Sequence, residues 1–244
     1  MRITGYSERG VVNSLLYEIL YSRSPERLLA DLLAMVHFPF GAAMPSTVSE
    51  ATVLVEQSLS DFGDADAILL LRTVGGPMTV FLEAKVKPSQ ASSWRIEDEF
   101  QRFTAGTAGK LHSSNLFTQL YHKVRLVSAL KHGGSAEIER GVPFPDSSTR
   151  SRRKIGSNPV VLRAVKQIEL FLSQVRYVAL VPEEPEPIAR FAATKLAKGA
   201  PRGFEGWDVR DYGFLCWFEV EEFCRKRGLA NTVQAFEFNR GQIY

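Results

Sequence analysis

Cysteine is nearly absent from this chain. Cys216 and Cys224 are the only two in 244 residues, which excludes a disulfide framework, and no CxxC spacing offers a thiolate zinc site. Histidine is as sparse: His37, His112, His122 and His132 stand singly, without the HxxxH spacing of a helical metal pair. No window approaches the ~18 consecutive apolar residues of a membrane-spanning helix. Glu8 and Arg9 interrupt the order of a secretory signal. The expectation is a reduced, cytoplasmic protein with no membrane segment. Charge of one sign is lacking too, because 30 Lys and Arg against 27 Asp and Glu leave a net charge of only +3. The overall balance therefore does not announce a polyanionic partner, and any such argument rests on where the charges fall.

What is present suffices for a core. With 45% hydrophobic residues and no biased segment, the chain can fold as one domain over 1–244. Apolar positions at helical spacing predict helices over 7–22 and, after the Ser24-Pro25 start signal, up to Pro39. Runs at 52–59, 66–72 and 78–86 predict a three-stranded meander. Helical periodicity returns over 95–103, 115–130 and 160–173, followed by a short buried strand at 176–181. The last third predicts helices near 186–198, 220–226 and 231–238 around the apolar run Phe214–Phe218. The order is αα-βββ-αα-α-β with additional C-terminal helices: an α/β or α+β domain with a small mixed central sheet flanked by helices.

Between 131 and 159 the pattern lapses into Gly, Ser, Pro and Arg, which predicts an exposed loop. From Ser147 to Ile168 there are six basic residues, Arg150, Arg152, Arg153, Lys154, Arg163 and Lys166, and no acidic one. Such a cluster suits a phosphate backbone, and equally suits a solvated loop.

The chemistry concentrates in Asp66-Ala-Ile-Leu-Leu-Leu-Arg and, beyond the Gly75-Gly76-Pro77 break, in Val80-Phe-Leu-Glu83-Ala-Lys85-Val. Alternation along a strand sends Glu83 and Lys85 to the same face. If the two runs form a hairpin about the glycines, residues whose numbers sum to about 149 or 151 lie opposite each other, pairing Asp66 with Glu83 or with Lys85. Runs such as Ala67–Leu71 read as strands buried on both faces, where an unpaired charge costs several kcal/mol. Two carboxylates so placed suit a hard divalent cation such as Mg²⁺, and an adjacent ammonium can orient a water and offset charge growing on a phosphate. The competing reading is an ordinary hairpin with surface charges.

Asp66, an apolar strand, a turn and Glu83-Ala84-Lys85 within a second strand resemble the PD-(D/E)XK nuclease superfamily, the restriction-endonuclease-like fold, whose core runs α-β-β-β-α-β. The resemblance implies a Mg²⁺-dependent deoxyribonuclease, with Mn²⁺ able to substitute. Asp66 and Glu83 would hold metal and Lys85 would serve the attacking water. It also implies a further acidic residue from the first helix, Glu8 or Glu18. At 100° per residue Glu8 lies within roughly 30° of the apolar stripe and Glu18 roughly 110° from it, so Glu8 is expected to complete the cluster. Ala65 stands where the name-giving proline would be, and Asp64 competes with Asp66. Gln101, Gln119 and Lys123 fall on helices where relatives place supporting residues, without a Gln-x-x-x-Tyr arrangement.

DNA is the implied partner, in restriction, phage defence, repair or junction resolution, as a homodimer or within a larger complex. Two alternatives stand beside it: a catalytically silent nucleic-acid-binding subunit of the same fold, and an RNA-directed nuclease. Gly106-Thr-Ala-Gly109-Lys110 lacks the Ser or Thr of a phosphate loop. Trp207, Tyr212 and Trp217 are expected in the core in preference to stacking on bases.

Overall fold

The computed structural model describes residues 5–87, 93–105, 113–143, 152–199 and 204–244. Arg150 and the Gly106–Lys110 stretch lie outside them. Helices α1 (Ser7–Leu20) and α2 (Pro25–Leu33) precede strands β1 (Val48–Ser58), β2 (Asp64–Thr73) and β3 (Gly76–Ala84). Helices α3 (Ile96–Ala105) and α4 (Leu116–Arg140), the short pair β4 (Val142–Pro143) and β5 (Arg152–Arg153), α5 (Pro159–Glu169) and β6 (Gln174–Val181) follow. Then come α6 (Pro185–Thr194), β7 (Tyr212–Cys216), α7 (Trp217–Arg227) and α8 (Ala230–Phe238). Among the described residues no helix is long and apolar enough to cross a membrane.

The five long strands form one mixed sheet in the order β1-β2-β3-β6-β7. β1, β2 and β3 are an antiparallel meander, and β6 and then β7 add in parallel. Period-two alternation divides the sheet between two cores. Ile68, Leu70, Phe81, Tyr177 and Phe214 face the core built with α3, α4, α5 and α6. Ala67, Leu69, Val80, Leu82 and Leu180 face the one built with α1, α2, α7 and α8. With both faces covered, the central strands carry apolar runs such as Ala67–Leu71 and Val80–Leu82, as a sandwiched sheet requires. Trp217 and Tyr212 are fully buried, and Trp207 stacks on Tyr212 at 4.3 Å between ring centroids, so these aromatics belong to the packing as expected.

The described part of 131–159, residues 131–143 and 152–159, is largely exposed as expected but is not all loop. α4 continues through it to Arg140, absorbing a kink at Gly134 (φ 59°, ψ −158°), and the turn beyond the kink is anchored by the fully buried Ile138. Glycine takes that positive φ without the Cβ clash that would end the helix elsewhere. Val142 and Ile155 are also buried, Lys154 N–H donates to Asp61 Oδ2 at 2.9 Å, and Asn158 caps α5 by accepting from Val160 N at 2.9 Å. The two glycines obscured the helical signal, and isolated apolar residues pin what the composition marked as solvent-exposed.

Candidate functional site

The β2–β3 ladder takes the register in which partner numbers sum to 149, Ala67 opposite Leu82. One step further sets Asp66 across from Glu83, not Lys85. Alternation puts Asp66 on the same side as Ile68 and Glu83 on the same side as Phe81, the face covered by α3 to α6. The pair stands where β2 begins and β3 ends, beside the parallel β3–β6 ladder, a position where open α/β sheets place ligands. Lys85 extends that ladder, its N–H donating to Leu180 O at 2.9 Å. Its own carbonyl accepts from the indole N–H of Trp217 at 2.7 Å. The C-terminal helices thus hold the Glu83-Ala84-Lys85 backbone in place, a role with no local sequence signal.

Asp66, Glu83 and Gln119 line one open cleft of about 440 Å³ together with Arg9, Asp61, Asp64, His122 and Arg153. Asp66 Oδ2 accepts from Ala84 N at 2.8 Å, which fixes its carboxylate across the strand pair. Burial first, and then the Glu83 charge, push its pKa up to about 6, against the lowering effects of that backbone bond and of Lys85. Two carboxylates are thus close enough to resist ionising together. Glu83 is buried outright, and Lys123, equally buried, approaches its Oε1 at 2.8 Å. That approach lies off the hydrogen-bond direction, so Oε1 keeps an unfilled acceptor site.

α4 supplies the remaining order. Gln119 and Lys123, four residues apart, share one helix face. Gln119 Oε1 accepts from the Lys85 ammonium. Lys123 donates to the carbonyl of Asp64 as well as facing Glu83. Asp64 itself is exposed and contributes that carbonyl. Gln101 is exposed on α3 and does not line the cleft. His122 lines the cleft; burial, followed by the Lys123 and Arg153 charges, lowers its pKa to about 3 and keeps it neutral.

The two acidic candidates on α1 separate cleanly. Glu18 serves α8: it accepts from Asn231 N at 3.1 Å, Thr232 N at 2.8 Å and Thr232 Oγ1 at 2.7 Å, capping that helix at its first turn. Glu8 accepts from Ser7 Oγ and contributes the least of the influences that raise Asp66. It does not line the cleft. Among the described residues no three Asp, Glu, His or Cys side chains gather at metal-holding spacing. Arg9, next in the helix, is the α1 residue that reaches in, with Nε 3.9 Å from Asp66 Oδ1 and Nη1 3.6 Å from Glu56 Oε2. The pattern of the sequence did not single it out.

Of the basic residues, Arg153 lines the cleft and donates to Asp61 O at 3.3 Å. Arg152 donates to Gly141 O at 3.3 Å, and Lys154 sits beside Asp61 through its backbone. Arg163 and Lys166 stand on the exposed face of α5 and do not line the cleft.

The donor set is chemically suited to a hard cation. It comprises two carboxylates at the edge of an open cleft, Glu83 with Lys123 already facing its Oε1, and Mg²⁺ characteristically takes one or two protein carboxylates and fills its other positions with water and phosphate oxygens. Comparison of the chain with protein-family models, with curated proteins and with solved structures gives no match.

Proposed function

We propose that this chain is a metal-dependent nuclease of the restriction-endonuclease-like fold, hydrolysing phosphodiester bonds in DNA in the cytoplasm. The observation that carries the reading is the convergence of Asp66, Glu83 and Lys85 at one end of β2 and β3, where Asp66 and Glu83 line a cleft with Arg9 and Arg153 and Lys85, not itself a lining residue, donates to Gln119 of that cleft. The antiparallel meander followed by a helix layer and a parallel strand fits an α-β-β-β-α-β core. A divalent cation held by Asp66 and Glu83 would supply Lewis acidity and a more acidic bound water.

The chain's own residues do the rest. Lys85, held by Gln119 with N–H groups to spare, offsets negative charge on the phosphate oxygens and orients the attacking water. Arg9 and Arg153, both lining the cleft, bind flanking phosphates, the role for which guanidinium geometry is suited. Arg152, Lys154, Arg163 and Lys166 extend the positive surface beyond the cleft and contribute through charge alone. Glu8 acts on Asp66 electrostatically from outside the cleft.

A second reading has its own observation: Lys123 already neutralises Glu83, which also fits a nucleic-acid-binding subunit without catalysis. The test is cleavage of supercoiled plasmid, linear duplex, single-stranded DNA and RNA with Mg²⁺ or Mn²⁺, comparing wild type with Asp66→Ala and Lys85→Ala. Cleavage lost in both variants supports the nuclease and identifies its polymer. Cleavage surviving in both removes this site from the reaction. Salt-sensitive DNA binding without cleavage or metal uptake selects the binding subunit.

A further inference from the structure

Lys123 is a candidate-site group whose chemistry the reaction above leaves unused. It is a lysine with no exposed surface, an uncommon state that needs a partner for its charge. Its ammonium touches both strands that carry the acidic pair, donating to the Asp64 carbonyl of β2 and facing Glu83 Oε1 of β3. Gln119, one turn earlier on the same helix, holds Lys85. Both charged residues of the Glu83-Ala84-Lys85 strand are therefore gripped by one face of α4, and no other cation approaches Glu83 within 4 Å among the described residues.

We propose that Lys123 is a built-in counter-cation, a positioning residue that claims one carboxylate oxygen of Glu83 and so limits the acidic pair to a single divalent cation. This rests on the metal-dependent reading above and specifies its stoichiometry. A metal between two carboxylates has room for water and phosphate ligands. A second would have to share Glu83 Oε1 with an ammonium 2.8 Å away, and like charges at that range in a sealed interior repel strongly. The contact is off the hydrogen-bond direction, so the grip is chiefly Coulombic, and another cation can replace it when the ammonium is removed.

The test is Mn²⁺ binding by calorimetry together with thermal unfolding with and without Mn²⁺, on wild type, Asp66→Asn and Lys123→Met. Wild type is expected to take one Mn²⁺, lost in Asp66→Asn. Lys123→Met, which keeps the length of the side chain without its charge, is expected to admit a second Mn²⁺ and to bind the first about tenfold or more tightly, since a nearby positive charge is gone. Its melting temperature is expected to be low without metal and to rise with Mn²⁺ by more than that of wild type, because the metal then meets the orphaned carboxylate. Two Mn²⁺ per wild-type chain bound through Asp66 overturn the proposal. Unchanged affinity in Lys123→Met, or a Mn²⁺ stabilisation no larger than in wild type, also overturns it, and a Lys123→Met chain that Mn²⁺ does not fold counts the same way. No Asp66-dependent Mn²⁺ in wild type defeats the metal-dependent reading itself, a result separable from all of these.

Discussion

Lys123 and Glu83 form an ion pair at 2.8 Å with both side chains sealed from solvent, joining the longest helix to the strand that carries the candidate chemistry. Removing one member leaves the other charge buried and uncompensated, which costs about 3–5 kcal/mol, whereas removing both costs far less. Urea unfolding without metal is expected to show Glu83→Gln and Lys123→Met each strongly destabilised, with Glu83→Gln/Lys123→Met losing much less than the sum. Additive losses would mean that the pair is not coupled.

Asp66 titrates at about 6 in the folded chain, chiefly because it is buried and then because Glu83 is near. A carboxyl group whose folded pKa is raised stabilises the fold below its unfolded pKa, near 3.8, and that contribution is lost as pH rises through about 6. In metal-free buffer Asp66→Asn is expected to be more stable than wild type above pH 7. The gain should be about 2–3 kcal/mol, because a tenfold difference in proton affinity between the folded and unfolded chain is worth about 1.4 kcal/mol. The difference should shrink through pH 4 and vanish below the unfolded pKa of 3.8. A pH-independent difference between the two proteins would contradict this account.

His122 is held neutral down to about pH 3 by burial and by the Lys123 and Arg153 charges. The sign is opposite to that of Asp66. A base with a lowered folded pKa supports the fold above its unfolded value, near 6.5, and that support is lost as pH falls toward 3. The imidazole carbon proton in an NMR titration should show no protonation step between pH 7 and 5, and His122→Gln should flatten the acid limb of the stability profile.

Gln119 holds the Lys85 ammonium through its side-chain oxygen. On the proposed nuclease reading, partners that orient a reacting group are worth roughly 10–100-fold, so Gln119→Leu should lower kcat of DNA cleavage by that order with KM nearly unchanged. Gln119→Glu, which keeps an acceptor oxygen in place, should lose less. A fall confined to KM would assign Gln119 to substrate binding instead.

Glu18 caps α8 from α1. Loss of a helix cap costs about 0.5–2 kcal/mol. Glu18→Ala should therefore lower the urea midpoint and leave cleavage per folded molecule unchanged. Glu8→Gln should do the reverse, shifting the pH profile of cleavage toward lower pH as its raising influence on Asp66 is removed.

The elements were legible because their signals are local. Period-two and period-3.6 patterns marked β2, β3, β6 and most helices, and the Gly75-Gly76 break set a hairpin whose register follows from arithmetic. Helical phase set Glu8 toward the site and Glu18 away from it, whereas in the fold Glu8 does not line the cleft and Glu18 is held by α8. Boundaries failed where glycines interrupted a helix that tertiary contacts sustain, as at Gly134.

By itself the sequence determined β1, β2, β3 and β6, their alternation and hence the shared side of Asp66 and Glu83, since these depend on residues near one another in the chain; β7 was legible only as an apolar run. The grip of Gln119 and Lys123 on Lys85 and Glu83, the support of Lys85 by Trp217 and the arrival of Arg9 and Arg153 at the cleft were decided only by tertiary structure. Each joins residues more than thirty positions apart, and a side chain's partner at that distance is set by how the helices pack on the sheet, which no local periodicity records.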